Sequence, residues 1–297
     1  MLFVLILSIV LIGFSFMFFL MTRAFNTIPV DYTENPGDLG MDYSSVRFPT
    51  KNNLSLHGWW IPAKNGNTKP LLILLHGWRR NCKRMLPYAE ELHANYNLFV
   101  FDSRNHGKSD SDTFSSMPRF TEDIIAALDY LQEEYSDVHS GETGIIGLSM
   151  GGAAAIYAAA LDERIKSVVT VGAFANAADV MQQEYNKRHI PYFPLVYLVF
   201  EYFQYHIGLR FRAFAPENNI GKSNADFLIV HGKIDETAPF SHAERLIASA
   251  RDGRASLLAI DQAGHSDCHE FDPFWPGIKA FLMTTLNIKA GEFSPAQ

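Results

Sequence analysis

The chain reads as an α/β protein with a mostly parallel central sheet flanked by helices, and three observations carry that expectation. Short β-branched or leucine-rich runs alternate with helical spacings over most of the 297 residues, and the natural packing of such an alternation is a parallel sheet covered on both faces. Pro70 to Trp78 is a continuous apolar run of the kind buried on both faces of a parallel sheet, ending in a loop that carries glycine. Finally, Thr143 to Leu148 runs into Ser149 between glycines and straight on into the small-residue stretch Gly152 to Ala160, a strand, a sharp turn and a helix in succession.

Taken in order, Met1 to Met21 carries no charged side chain. As a helix it is about 31 Å long at ~1.5 Å per residue, enough to cross a hydrocarbon core of ~30 Å. We therefore expect a membrane anchor over residues 1–22, touching the bilayer through residues 1–21 and making the protein a single-pass membrane protein. A cleaved signal peptide has a basic n-region that is missing here and a shorter apolar core; a buried core helix is the other alternative. Arg23 alone leaves the side of the membrane open. Residues 23–40, with Pro29, Pro36, Gly37 and Gly40, have the composition of a linker. A catalytic-sized domain then occupies residues 41–290.

Within that domain, Tyr43 to Pro49 and Leu54 to Ile61 read as antiparallel strands around a Lys51-Asn52-Asn53 turn. Parallel strands follow in the run Pro70 to Trp78 and at Asn97 to Phe101, Thr143 to Leu148, Ile165 to Val171, Asp226 to Val230 and Ala255 to Ile260. Helices are expected over Met85 to Ala94, Arg119 to Tyr135 with Thr121 as N-cap, Ser241 to Ala250 and Pro273 to Ile288. Residues 173–222 are too long for a plain crossover and rich in aromatics, among them Phe193, Phe200, Phe203, Phe211 and Phe214, so a helical cap is expected there.

The formal net charge of −7 and the lack of a Lys/Arg cluster beyond Arg79-Arg80 and Lys83-Arg84 exclude a nucleic-acid partner. Cys82 and Cys268 make neither a disulfide framework nor a metal-ligand spacing, and no metal or organic cofactor is implied. The oligomeric state is not legible.

The chemistry concentrates at strand ends. Gly147-Leu148-Ser149-Met150-Gly151 is a nucleophile elbow, which lifts a weakly nucleophilic hydroxyl clear of the backbone. Its base is His265, on the loop after the last strand, with His269 as fallback; Asp235, after the penultimate strand, orients the imidazole, with Asp261 and Glu236 as rivals. Backbone N–H groups of Trp78 and Met150 are the expected oxyanion donors.

Four motifs together resemble the α/β-hydrolase superfamily of serine hydrolases, in its branch of esterases, acylglycerol lipases and serine-aminopeptidase-like enzymes. They are His76-Gly77-Trp78, the D-x-R-x-H-G-x-S loop from Asp102 to Ser109, the elbow, and the HGxxDxxxP loop from His231 with a later Gly264-His265-Ser266. Asn105 departs from the glycine common at its position, but asparagine tolerates a left-handed backbone. The resemblance implies a hydrolase of carboxylic esters working through an acyl-enzyme, and the aromatic cap and the apolar N-terminus favour a small-molecule, lipophilic ester. An amidase, peptidase or thioesterase uses the same triad, and a non-catalytic binding protein can keep the same fold.

Overall fold

The computed structural model describes residues 2–23, 27–64, 69–137 and 139–286. Met1, residues 24–26 of the expected linker, and everything from 287 on, including the end of the closing helix, lie outside the described residues.

Eight strands form one sheet: β1 (Ser44–Thr50), β2 (Leu54–Ile61), β3 (Lys69–Leu75), β4 (Asn97–Phe101), β5 (His139–Leu148), β6 (Ile165–Val171), β7 (Asp226–Gly232) and β8 (Ala255–Ile260). Their order is β1-β2-β4-β3-β5-β6-β7-β8. Only β2 runs antiparallel to its neighbours; from β4 to β8 every pairing is parallel. The alternation of side chains sorts β3 between two apolar layers, with Leu71, Ile73 and Leu75 on one face and Leu72 and Leu74 on the other. Helices α3 (Met117–Glu134), α4 (Met150–Leu161) and α8 (Ser241–Ser249) cover the first face, while α2 (Leu86–Leu92) and α9 (Phe274–Thr285) cover the second. This is the α/β-hydrolase fold. Because β4 lies on one side of β3 and β5 on the other, the chain reverses direction across the sheet there, and a crevice opens at the carboxyl ends of β3 and β5.

Helix α3 starts earlier than its apolar spacing indicates. Ser116 is the N-cap and accepts from Arg119 N at 3.4 Å, and Pro118 fills the first turn, where a missing N–H costs nothing. Thr121 is instead a buried interior residue whose hydroxyl donates to the carbonyls of Met117 and Ala154.

Between β6 and β7 the chain builds α5 (Ala177–Lys187), α6 (Tyr197–Ile207) and the single turn α7 (Phe211–Phe214). Phe200, Phe211 and Phe214 are buried in the core layer of this region, whereas Phe193 and Tyr205 stay exposed. Arg245 of α8 ties it down through Asp179 and Glu217.

Helix α1 (Leu2–Arg23) has a mean hydropathy of 2.8 and is long and apolar enough to cross a membrane. It is not a core helix, since most of its apolar side chains are exposed. Its C-terminal end alone packs on the body: Met21 is buried, and the Phe18 ring meets the Tyr202 ring of α6 edge-on at 5.2 Å. The following segment is also less free than its composition indicates. Tyr32 is buried and donates its hydroxyl proton to Asp102 Oδ2 at 2.7 Å, while Pro36 and Met41 are buried as well. A carboxylate without solvent needs donors, and the docked tyrosine is one of them.

Candidate active site

Ser149 sits between β5 and α4 with φ 51° and ψ −113°, a region that non-glycine residues rarely adopt and that costs about 1–3 kcal/mol. Two glycines make the turn possible. A Cβ on Gly147 would lie 2.5 Å from the Gly151 carbonyl carbon, and one on Gly151 would lie 2.5 Å from the His76 carbonyl oxygen. The turn is pinned across the sheet by Ser149 N, which donates to Val171 O at 2.8 Å. Met150 opens α4, so its N–H belongs to the first turn, whose amides have no intrahelical acceptor.

His265 arrives on the loop after β8 and Asp235 on the loop after β7. His265 Nδ1 donates to Asp235 Oδ2 at 2.7 Å, and its Nε2 stands 2.9 Å from Ser149 Oγ, placed to accept the hydroxyl proton. Asp235 is buried, and its other oxygen accepts from Thr237 N and Ala238 N, each at 2.8 Å. Burial alone would raise its pKa, but donors from His231 and His265 and the Ala238 amide outweigh it and hold the carboxyl below its ordinary range. The geometry thus joins an alcohol, an imidazole and an ionised carboxylate in one hydrogen-bonded line.

The rival residues lie elsewhere. His269 stacks on Tyr88 and faces Arg84, with Nε2 3.4 Å from the guanidinium. Asp261 pairs with Lys233 at the surface, and Glu236 is exposed. Cys268 is buried, and burial pushes its thiol up to about 12, so it stays protonated near neutral pH.

The loop after β3 is held by two buried, neutral histidines. His76 Nδ1 donates to Gly77 O at 2.8 Å, and its Nε2 accepts from Ser103 N at 3.2 Å. His106 Nδ1 donates to Arg104 O at 2.9 Å, and its Nε2 accepts from Arg79 N at 3.1 Å, next to Trp78. Burial pushes both pKa values down, that of His106 to about 3. Behind His106, buried Arg104 grips buried Asp123 through Nε and a terminal nitrogen at 2.9 and 2.7 Å. Asn105, between them, has φ 66°, the left-handed conformation that the turn asks for. Asp123 is a supporting residue that motif reading passes over. Its signal is an acidic side chain three residues after Phe120, on the buried face of α3.

One cluster has metal-ligand chemistry among the described residues: donor atoms of His57, Cys82 and Asp102 all lie within 4.8 Å of one another. Its carboxylate already accepts from Cys82 N at 2.7 Å, Lys108 N at 2.9 Å and the Tyr32 hydroxyl at 2.7 Å. A fully satisfied carboxylate acts here as a latch for the segment around Tyr32.

Two cavities of about 230 Å³ each meet at Ser149, with Trp78 and His265 shared between them. The first is apolar and lies under the helices between β6 and β7, lined by Met181, Phe203, Ile207 and Phe214 among others. The second, on the other side of the serine, is lined by Arg80, Arg84, Tyr88 and Ser266.

The chain is similar to several known proteins. A family model described as serine aminopeptidase, S33 (Hydrolase_4) matches residues 66–200. The uncharacterized protein YfhR of Escherichia coli O157:H7 is 29% identical over 253 residues, covering 82% of this chain and 81% of its own. The thiohydrolase aneE of Aspergillus aculeatus is 31% identical over a shorter stretch of 139 residues, 43% of this chain and 41% of that protein. Among solved structures, the Pyrococcus furiosus esterase Pf2001 superposes with a TM-score of 0.69 at 22% identity, covering 88% of this chain and 98% of that one, a likeness of fold.

Proposed function

We propose that this chain is a serine hydrolase of the α/β-hydrolase superfamily that cleaves carboxylic esters with an apolar acyl group through an acyl-enzyme; the family match over residues 66–200 and the likeness of fold to an esterase support this. Ser149 is the nucleophile, His265 the base and Asp235 the carboxylate that orients and stabilises the imidazolium. The hydroxyl proton moves to His265 Nε2 as Oγ attacks the carbonyl carbon. The oxyanion takes hydrogen bonds from the N–H groups of Trp78 and Met150, each worth about 3–4 kcal/mol in the transition state. His265 then returns the proton to the departing alkoxide, and a water molecule, deprotonated by the same ring, releases the acid.

The observation that carries this reading is the Ser149–His265–Asp235 line at the mouth of an apolar cavity. It is supported by the esterase among the structural neighbours. The experiment is a series of p-nitrophenyl esters of increasing acyl length, run beside matched amides and thioesters. Ester turnover rising with acyl length supports the proposal, and preference for the amide over every ester overturns it. The thioester arm answers a specific rival, because one relative bears the name thiohydrolase.

We further propose that α1 anchors the enzyme in a membrane as a single span. Its exposed apolar surface and its length support this. Recovery of the full-length chain, N-terminus intact, in the carbonate-washed membrane fraction is the expected result; a chain shortened behind α1 and found in the soluble fraction marks a signal sequence instead.

A further inference from the structure

The two cavities beside Ser149 differ in chemistry, and that difference bears on which substrate the serine receives. With the acyl chain of the proposed ester in the apolar cavity, its leaving group falls to the other one, which His265 also lines. Two guanidinium groups face that second cavity. Arg84 is half-buried and held by neutral acceptors: one terminal nitrogen donates to the Ser266 carbonyl and the other faces His269 Nε2 at 3.4 Å. Burial and Arg84 itself keep His269 on the neutral side. Arg80 is exposed at the rim. Among the described residues, no carboxylate pairs with either arginine and none lines the cavity.

The arrangement contrasts with Arg104, Arg164 and Arg245 of the same fold, each of which is matched by acids. A fixed guanidinium without a counter-ion, in a cavity of its own, is poised for a bidentate anion such as a phosphate or a carboxylate. We propose that the leaving-group cavity binds an anionic alcohol, so that the enzyme's substrates are acyl esters whose alcohol part carries a phosphate or carboxylate. Arg80 and Arg84 are the specificity residues. The proposal rests on the ester reading above for the reaction, but the anion site itself does not depend on it.

The test compares octanoyl esters of glycerol, glycerophosphate and glycerate in the full-length enzyme. At low salt the anionic esters are expected to exceed the neutral one in kcat/KM by about tenfold or more, mostly through KM, with the preference shrinking as salt is raised. Arg80→Gln and Arg84→Gln should each erode that ratio, and the double variant should bring it close to one. Arg84→Gln keeps a donor for the Ser266 carbonyl; if Arg84 served only to hold the loop beside His265, the variant would slow all three esters alike and leave the ratio intact, which overturns the proposal. Equal turnover of charged and neutral esters by the unmodified enzyme overturns it too. Which anion gives the larger ratio identifies the source, phosphate or carboxylate.

A binding arm separates the two readings. Octanoylglycerophosphate is titrated by equilibrium dialysis against Ser149→Ala, with and without the two glutamine substitutions. Binding that weakens about tenfold in the substituted protein supports the anion site even if no ester is hydrolysed, in which case the ester reading alone falls. Binding that ignores both arginines overturns the anion site and leaves the ester reading standing.

Discussion

The elbow offers the sharpest mechanical test, Gly151→Ala. An added Cβ would stand 2.5 Å from the His76 carbonyl oxygen and 2.8 Å from that of Leu75, against an ordinary contact that begins at 3.4 Å. Both are backbone atoms at the end of β3, so no flexible side chain can yield, and the first turn of α4 has to retreat by about 0.9 Å. That retreat carries the Met150 amide and Ser149 away from the loop bearing Trp78. Catalytic constellations work within about 0.5 Å of their productive geometry, and a misplacement near 1 Å lowers rate about 100-fold. Overpacking of this kind also removes about 1–3 kcal/mol of stability, leaving the fold intact in a domain of this size. The assay is the initial rate on a soluble p-nitrophenyl ester, with urea unfolding of the same preparation. A folded Gly151→Ala enzyme within about threefold of the unmodified rate would refute the reasoning, because the elbow would then tolerate the displacement.

Three further outcomes are expected. In Asp235→Asn the amide oxygen can still accept from Thr237 N and Ala238 N, but the amide NH₂ faces His265 Nδ1 and drives the ring proton onto Nε2, against Ser149. Rate should fall about 10⁴-fold with little change in KM, and retention of a tenth of the activity would count against the role of Asp235. His106, whose pKa is pushed down to about 3 in the fold, takes up a proton on unfolding that the native state refuses. Its contribution is therefore complete above the unfolded pKa of ~6.5 and is lost as pH falls, about 2 kcal/mol by pH 5. Urea unfolding at pH 7.5 and 5 should show a smaller drop in His106→Gln than in the unmodified protein, and equal drops would contradict the assignment. Deleting residues 1–23 should leave turnover of soluble esters intact while costing about 1–3 kcal/mol for the buried Met21 and the Phe18–Tyr202 contact. Complete loss of soluble protein would show α1 to be a part of the core.

Much of the fold was legible because parallel strands buried on both faces leave uninterrupted apolar runs, as in Leu71 to Leu75. The elbow was legible for a different reason: close backbone approach demands glycine at Gly147 and Gly151, and that demand is written in the composition. The start of α3 was missed because Ser116 and Thr121 are both good caps in isolation, and only Pro118 separates them. Docking of the segment around Tyr32 was invisible because its partner, Asp102, is 70 residues distant and belongs to another motif. The same holds for Asp123 beneath Arg104, and for the arginine-lined cavity, whose two charges look like ordinary surface residues until the loop after β3 turns them toward the serine. Long-range polar pairing has no periodicity, so it leaves no mark that a local reading can find.

Covalent capture tests most directly whether His265 and Asp235 activate Ser149. The purified protein is treated with a fluorophosphonate, and the adduct is located by peptide mass mapping, in the unmodified chain and in the Ser149→Ala and His265→Ala variants. Stoichiometric modification at Ser149, abolished in the first variant and slowed at least about 10³-fold in the second, is the expected result. A folded protein that takes up no label, or takes it at another residue at the same rate in all three forms, would contradict it.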